Sequence, residues 1–183
     1  MPENNSQYDV IVIGAGVAGL YQLYKLRQLK LKVLVIEAGD NVGGTWYWNR
    51  YPGARFDSES WSYGYSFSRE LFEEWDWPEH FAAQPDTLRY LNYVADKFDL
   101  RRDINFNRRV KAALFNEKTN FWTVRTDTNE SFEARFLITA MGPLSAFTLP
   151  NIEGRETFEG PAYHTARWPH EKVDFSGKRV GII

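Results

Sequence analysis

No cysteine occurs among the 183 residues. That excludes a disulfide framework, a zinc–thiolate site and a dithiol redox relay within this stretch. Histidine is nearly as scarce. His80, His164 and His170 are too dispersed for a metal cluster, and Pro169 removes helical ligand spacing from the last pair. Long hydrophobic runs are also lacking; none approaches the ~20 residues that span a bilayer. Neither sign of charge dominates, with 22 Lys and Arg against 24 Asp and Glu and a formal net charge of −2. The cations are scattered, which leaves no footprint for nucleic acid or an anionic membrane. Met1–Gln7 is short and polar, without the basic and then apolar order of a secretory leader. The expectation is a soluble, cytoplasmic protein with no metal and no nucleic-acid or membrane partner.

What is present is apolar and aromatic material, 43% and 16% of the residues, enough for a sizeable core. The length suits one domain, or one domain and part of another. Tyr8–Ile13 (YDVIVI) is a short β-branched run that reads as a buried parallel strand. It leads into Gly14-Ala15-Gly16-Val17-Ala18-Gly19 and then a helical stripe of Val17, Leu20, Leu23 and Tyr24. Leu31–Ile36 is a second strand and ends at Glu37. In this unit Gly14 permits the tight turn, Gly16 a close approach to a pyrophosphate, and Gly19 close packing of helix on strand. The pyrophosphate would rest on the amides of the helix N-terminus. Glu37 would accept from both hydroxyls of an adenosine ribose and repel a 2′-phosphate, so the unit predicts FAD or NAD rather than NADP.

Residues 43–57, GGTWYWNRYPGARFD, form a long aromatic loop in which Gly43, Gly44, Pro52 and Gly53 argue against any regular element. Such a loop must be covered or cover something. With Gly44, Trp46, Tyr51, Pro52, Gly53 and Asp57, it resembles the N-terminal signature of type I Baeyer–Villiger monooxygenases. Residues 158–170, FEGPAYHTARWPH, resemble the second signature of that family at Phe158, Gly160, His164, Trp168 and Pro169. YWNRYPGARFDSES, YSFS at Tyr65–Ser68 and WPHE at Trp168–Glu171 look closest to the phenylacetone and steroid monooxygenase branch. The resemblance covers Tyr8 to Ile183. One small departure is Ala140-Met141-Gly142, where the family commonly has an Ala-Thr-Gly-like triplet.

The resemblance implies an α/β, Rossmann-like FAD-binding domain of a two-dinucleotide-binding flavoprotein, a parallel sheet plus a small antiparallel meander. It implies FAD and NADPH as cofactors, and insertion of one oxygen atom of O2 next to a ketone carbonyl to give an ester or lactone. The cofactor contacts it implies are Gly14, Ala15, Gly16, Gly19, Glu37, Gly44, Thr45, Trp46, Tyr47, Trp48, Arg55, Asp57, Tyr63 and Val110. Trp46 and Trp48 would wall the flavin pocket, Val110 would contact the adenine side through its backbone, and Arg55 would touch NADPH. By the same resemblance Asp57 would be the catalytic acid, hydrogen-bonded to an arginine that lies elsewhere in the family's sequence. His164 is assigned a conformational role, coupling NADPH binding to domain rotation, and His170 lies on the surface. A monomer is expected. An amine- or sulfide-oxidising flavin monooxygenase is the alternative enzyme, and an FAD-binding module without turnover the alternative from another class.

Trp61–Ala83 reads as an irregular aromatic excursion. Asp86 would cap a helix running to Phe98 with the stripe Leu88, Leu91, Ala95 and Phe98. Asn105–Ala134 reads as an antiparallel meander and Phe136–Ala140 as a further parallel strand. The expected domains are 1–150 for FAD, 151–177 as a linker carrying the second signature, and 178–183 as the first strand of an NADP-binding domain. That ending makes the chain read as a piece of a protein roughly three times longer.

Overall fold

The computed structural model describes residues 7–183. The leader reading of Met1–Gln7 therefore falls, Gln7 excepted, outside the described residues. The described residues build one six-stranded mixed sheet in the order β3-β2-β1-β6-β5-β4. β1 (Gln7–Ile13) pairs in parallel with β2 (Val33–Ile36) and with β6 (Ser131–Thr139), and β2 pairs in parallel with β3 (Ile104–Asn105). β4 (Val110–Asn116), β5 (Phe121–Thr126) and β6 run antiparallel. β6 does two jobs. Its first half closes the meander on β5, and the same strand continues beside β1 as far as Thr139. Sequence reading split this element at Arg135, because the alternation of the meander and the apolar run after it look like separate strands.

The β-branched residues of β1 and β2 alternate between the two faces of the sheet. Val10, Val12, Val33 and Val35 join a core with Leu20 and Leu23 of α1 (Val17–Gln28) and Leu91 and Val94 of α5 (Gln84–Lys97). Ile11, Leu34 and Ile36 point the other way and pack with Val124, Phe132 and Ala134 of the meander. Burial on both faces is what a near-continuous apolar strand requires. α1 carries the expected stripe, with Gly19, Leu20 and Leu23 buried.

Four local expectations are corrected. Asp86 does not cap α5: Ala83 is the N-cap and makes no side-chain cap hydrogen bond, while Pro85 lies in the first turn, where its fixed φ is suited to a helix start. Asp86 sits in that turn, one residue further in, and pairs with Arg89 at 2.9 Å. The glycine-flanked loop contains a regular element after all, the single helical turn α2 (Thr45–Trp48), and the aromatic excursion holds α3 (Ser60–Tyr63) and α4 (Arg69–Glu74). Lys178–Ile183 forms no strand: a strand needs a paired neighbour, and Ile182 and Ile183 are 94% and 99% exposed. Between Met141 and Ile183 the chain is largely exposed, with 3₁₀ turns at Arg155–Thr157 and Thr165–Arg167.

Candidate nucleotide-binding site

Three turns converge at the carboxyl end of the parallel strands, the edge at which open α/β sheets bind ligands. After β1, Gly14 takes φ +101°, and a Cβ there would lie 2.7 Å from the carbonyl oxygen of Ala140, the residue that follows β6. A Cβ on Gly19 would lie 1.9 Å from the Gly14 carbonyl oxygen, so α1 sits against the turn as closely as the sequence implied. A Cβ on Gly16 would come within 3.2 Å of the Gly44 Cα, and one on Gly44 within 2.7 Å of the Gly16 Cα. The two glycine segments thus meet backbone to backbone. α1 begins at Gly16 without a side-chain cap and without an acidic residue in its first turn. Its first-turn amides are left as donors at the positive end of the helix dipole, an arrangement suited to a pyrophosphate.

Glu37 is buried at 4% exposure and ties the site together. One carboxylate oxygen accepts from the Ala15 amide at 2.6 Å and the other from the Gly39 amide at 2.7 Å. The acid therefore has a structural role that its position in the motif did not reveal, since it holds the first glycine turn and the loop after β2 in register. A carboxylate offers about four acceptor sites, so each oxygen keeps a lone pair beyond the amide it accepts from. The amide of Asn107 donates to the Gly39 carbonyl and that of Arg108 to the Glu37 carbonyl, each at 2.9 Å. This pairing sets Arg108, two residues before Val110 at the start of β4, against the Glu37 backbone.

The aromatic loop divides into an inner and an outer part. Trp46 is 6% exposed; its ring meets Phe56 and Tyr63, and its Nε1 donates to the Tyr63 hydroxyl at 2.7 Å. Phe56 and Tyr63 stack at 4.3 Å with an interplanar angle of 7°. Trp46 is thus packed into the core, where the rings bury one another against α5. Burial pushes the Tyr63 phenol above its ordinary value, against the opposing pull of the Trp46 donor, and burial likewise pushes Tyr90 up to about 12. These hydroxyls remain neutral and accept within the aromatic cluster, Tyr63 from Trp46 Nε1 and Tyr90 from the Tyr65 amide. Tyr47, also buried, donates from its hydroxyl to Asp40 at 2.8 Å. Thr45 opens α2, and its carbonyl accepts from the Asn49 amide at 2.8 Å.

The outer part carries Trp48, which faces the second signature. The Arg167 guanidinium lies 5.5 Å from the Trp48 ring centroid and 4.7 Å from that of Phe147. His170, expected as a plain surface residue, is exposed but sets its ring edge-on to Tyr47 at 5.4 Å. The two signatures therefore touch. His164 caps the 3₁₀ turn at Thr165–Arg167, its Nδ1 accepting from the Ala166 amide at 3.1 Å. In Ala54–Asp57 burial alternates, with Ala54 and Phe56 inside and Arg55 and Asp57 outside on the same side. Arg55 is engaged by Glu79 at 2.9 Å and by the Phe81 carbonyl at 3.1 Å. Asp57 is exposed beside it.

A fold and a nucleotide cradle of this kind define a class, and comparison with known proteins assigns it. The family model described as pyridine nucleotide-disulphide oxidoreductase matches residues 11–183, and the chain belongs to that family. The resemblance read from the two signatures is borne out among its relatives, Baeyer–Villiger monooxygenases at about half identity. Acetone monooxygenase (methyl acetate-forming) of Gordonia sp. is 50% identical over 175 residues, which cover 96% of this chain and 33% of that protein. A solved steroid monooxygenase bound to NADP superimposes with a TM-score of 0.88 at 55% identity, over 94% of this chain and 33% of its own. OTEMO, solved in complex with FAD and NADP, gives a TM-score of 0.88 at 51% identity over the same shares. The chain thus spans about a third of the length of the relatives it matches.

Glu37→Gln provides a direct test of the cradle. The amide keeps the size of the side chain but turns one of the two acceptors into a donor facing a backbone N–H. FAD affinity is expected to fall by about 1–3 kcal/mol, and the melting temperature of the flavin-free protein to fall with it. Titration with FAD and a thermal melt check both; unchanged values in both would remove Glu37 from the site.

Proposed function

We propose that the chain is the FAD-binding portion of an NADPH-dependent monooxygenase that inserts one oxygen atom of O2 beside a ketone carbonyl to give an ester or lactone. The observation that carries this reading is the meeting of Gly16 with Gly44 beside the uncapped N-terminus of α1, braced by Glu37. That geometry fits the pyrophosphate and ribose of FAD. The relatives support the choice of reaction. When bound, the flavin supplies hydride acceptance and oxygen activation. The chain's own residues hold the dinucleotide, and the Trp46–Phe56–Tyr63 cluster keeps water from the inner side of the loop. Asp57 is the acid on the outer side, its charge free to orient a cation that faces the flavin. Residues 1–150 form the FAD domain, 151–177 the linker, and 178–183 lead into an NADP-binding domain. A ketone and O2 as substrates, a monomer and a cytoplasmic location complete the reading.

The test uses the full-length protein. Bound flavin is read from its absorbance after purification, and NADPH consumption is followed with ketones, amines and sulfides in parallel. Ester or lactone formation matched to NADPH use supports the proposal. Turnover confined to amines or sulfides would replace it with the alternative enzyme, and flavin binding without turnover would leave a binding module. In the same protein, His164→Ala is expected to slow NADPH-driven turnover several-fold with flavin retained, because the residue shapes the linker turn. Loss of an ionisation near pH 6–7 from the rate profile of that variant would make His164 an acid–base group instead.

A further inference from the structure

We propose that Arg101 is a positioning residue for the second glycine turn, acting through Asn41 to hold Gly43 and Gly44 where the dinucleotide requires them. The inference rests on the FAD reading above and adds a residue outside both signatures. Gly43 and Gly44 adopt φ of +131° and +53°, in the region that side-chain-bearing residues rarely occupy. Glycine reaches many backbone conformations at little cost, so the shape of this turn depends on the contacts that fix it. One constraint is the Gly43 amide, which donates to the Ala15 carbonyl at 3.0 Å. A second is Leu88 of α5, whose Cδ1 lies 2.5 Å from where a Gly43 Cβ would stand.

The third constraint is a polar brace. Arg101 opens the 3₁₀ turn Arg101–Asp103 that leads into β3. Its Nη1 donates to Asn41 Oδ1 at 2.9 Å, its Nη2 to Asn92 Oδ1 at 2.5 Å and its Nε to Asp96 Oδ1 at 2.6 Å. Asn92 and Asp96 lie one turn apart on α5, so the planar guanidinium is fixed on its helix side before it reaches Asn41. The same Asn41 oxygen accepts from the Val42 amide at 2.8 Å. Both partners of that oxygen are donors only, which fixes the orientation of the amide group. α5, Arg101, Asn41 and the turn therefore form one continuous path, and the Gly43–Gly44 segment at its end abuts Gly16.

Four forms of the full-length protein decide the matter: Arg101→Ala, Arg101→Lys, Asn41→Ala and the double Ala variant. Arg101→Ala is expected to weaken FAD binding about ten- to a hundredfold, the effect of one lost charged hydrogen bond. Asn41→Ala should match it, and the double variant should be no worse than the weaker single, since both cut the same path. Lys at 101 should not restore affinity, because one ammonium cannot reach Asn41 and α5 together. Hydrogen exchange at the Val42–Gly44 amides of the flavin-free protein, where faster exchange is expected in every variant, judges the brace without reference to FAD. The proposal is overturned if Arg101→Ala lowers the melting temperature but leaves FAD affinity within about twofold and turn exchange unchanged. Multiplicative effects of the two single substitutions would also overturn it. If the wild-type protein takes up no FAD, the parent reading fails, while exchange at the turn still decides the brace.

Discussion

Gly19→Ala is expected to abolish flavin binding and to cost about 3 kcal/mol or more of stability, the upper range for forced overpacking. The added methyl would lie 1.9 Å from the Gly14 carbonyl oxygen and 2.9 Å from its carbon, both backbone atoms. Backbone cannot rotate out of the way as a flexible side chain can. Gly14 cannot retreat either, since it already turns at φ +101° with the Ala140 carbonyl on its other side. The remaining response is for α1 to move off the turn, which separates the first-turn amides from the place where Gly16 meets Gly44. Gly53→Ala is the matched control. That residue has φ +80° with nothing within 4 Å of the added Cβ, so only the left-handed backbone cost of about 1–2 kcal/mol is expected, with flavin retained. Thermal melts and flavin content of the two variants, measured side by side, check the prediction. A Gly19→Ala protein with wild-type melting and full flavin would show that the close approach does not matter.

The difference between those glycines shows what a sequence can and cannot convey. The motif from Gly14 to Gly19 announces its geometry because its chemistry is local: strand, turn, helix and acid lie within one short run, and the structure repeats that reading nearly residue for residue. β1 and β2 were legible for the same reason, through uninterrupted apolar runs, whereas β3 is only two residues long and its Asn105 reads as the start of the meander, although it pairs in parallel with β2. The fate of β6 was not legible either, because its pairing with both β1 and β5 is a property of distant strands. Trp46 shows the same limit. Its place in an aromatic signature does not convey its burial, which follows from Phe56, Tyr63 and α5, brought to it only in the folded chain. The brace from Arg101 to Asn41 spans 60 positions and belongs to no motif. A half-buried arginine facing three fixed oxygens can be identified only from the fold.

Asp57→Ala is expected to leave the fold and flavin content close to wild type and to lower ketone oxidation about ten- to a thousandfold, the range for one lost electrostatic contact in a transition state. Retention of the fold follows from the alternation in Ala54–Asp57: Ala54 and Phe56 carry the packing, while Asp57 is exposed and buries nothing when shortened. Loss of activity follows if the carboxylate orients the arginine implied by the family resemblance. Arg55 is poorly placed to be that partner, because Glu79 and the Phe81 carbonyl already hold its guanidinium. An arginine from outside these 183 residues would find Asp57 open to it. Asp57→Asn separates charge from shape: it should fall nearly as far as Asp57→Ala if the charge fixes the arginine, and stay near wild type if a hydrogen bond suffices. Without that orientation, NADPH is still oxidised but oxygen leaves as hydrogen peroxide, so coupling between NADPH use and ester formation should drop in step with the rate. Measuring NADPH, peroxide and ester in the same reaction separates this outcome from slower flavin reduction, which would lower all three together. Ester yield at wild-type coupling in Asp57→Ala would reduce the residue to an exposed turn acid and move the chemistry entirely outside this part of the chain.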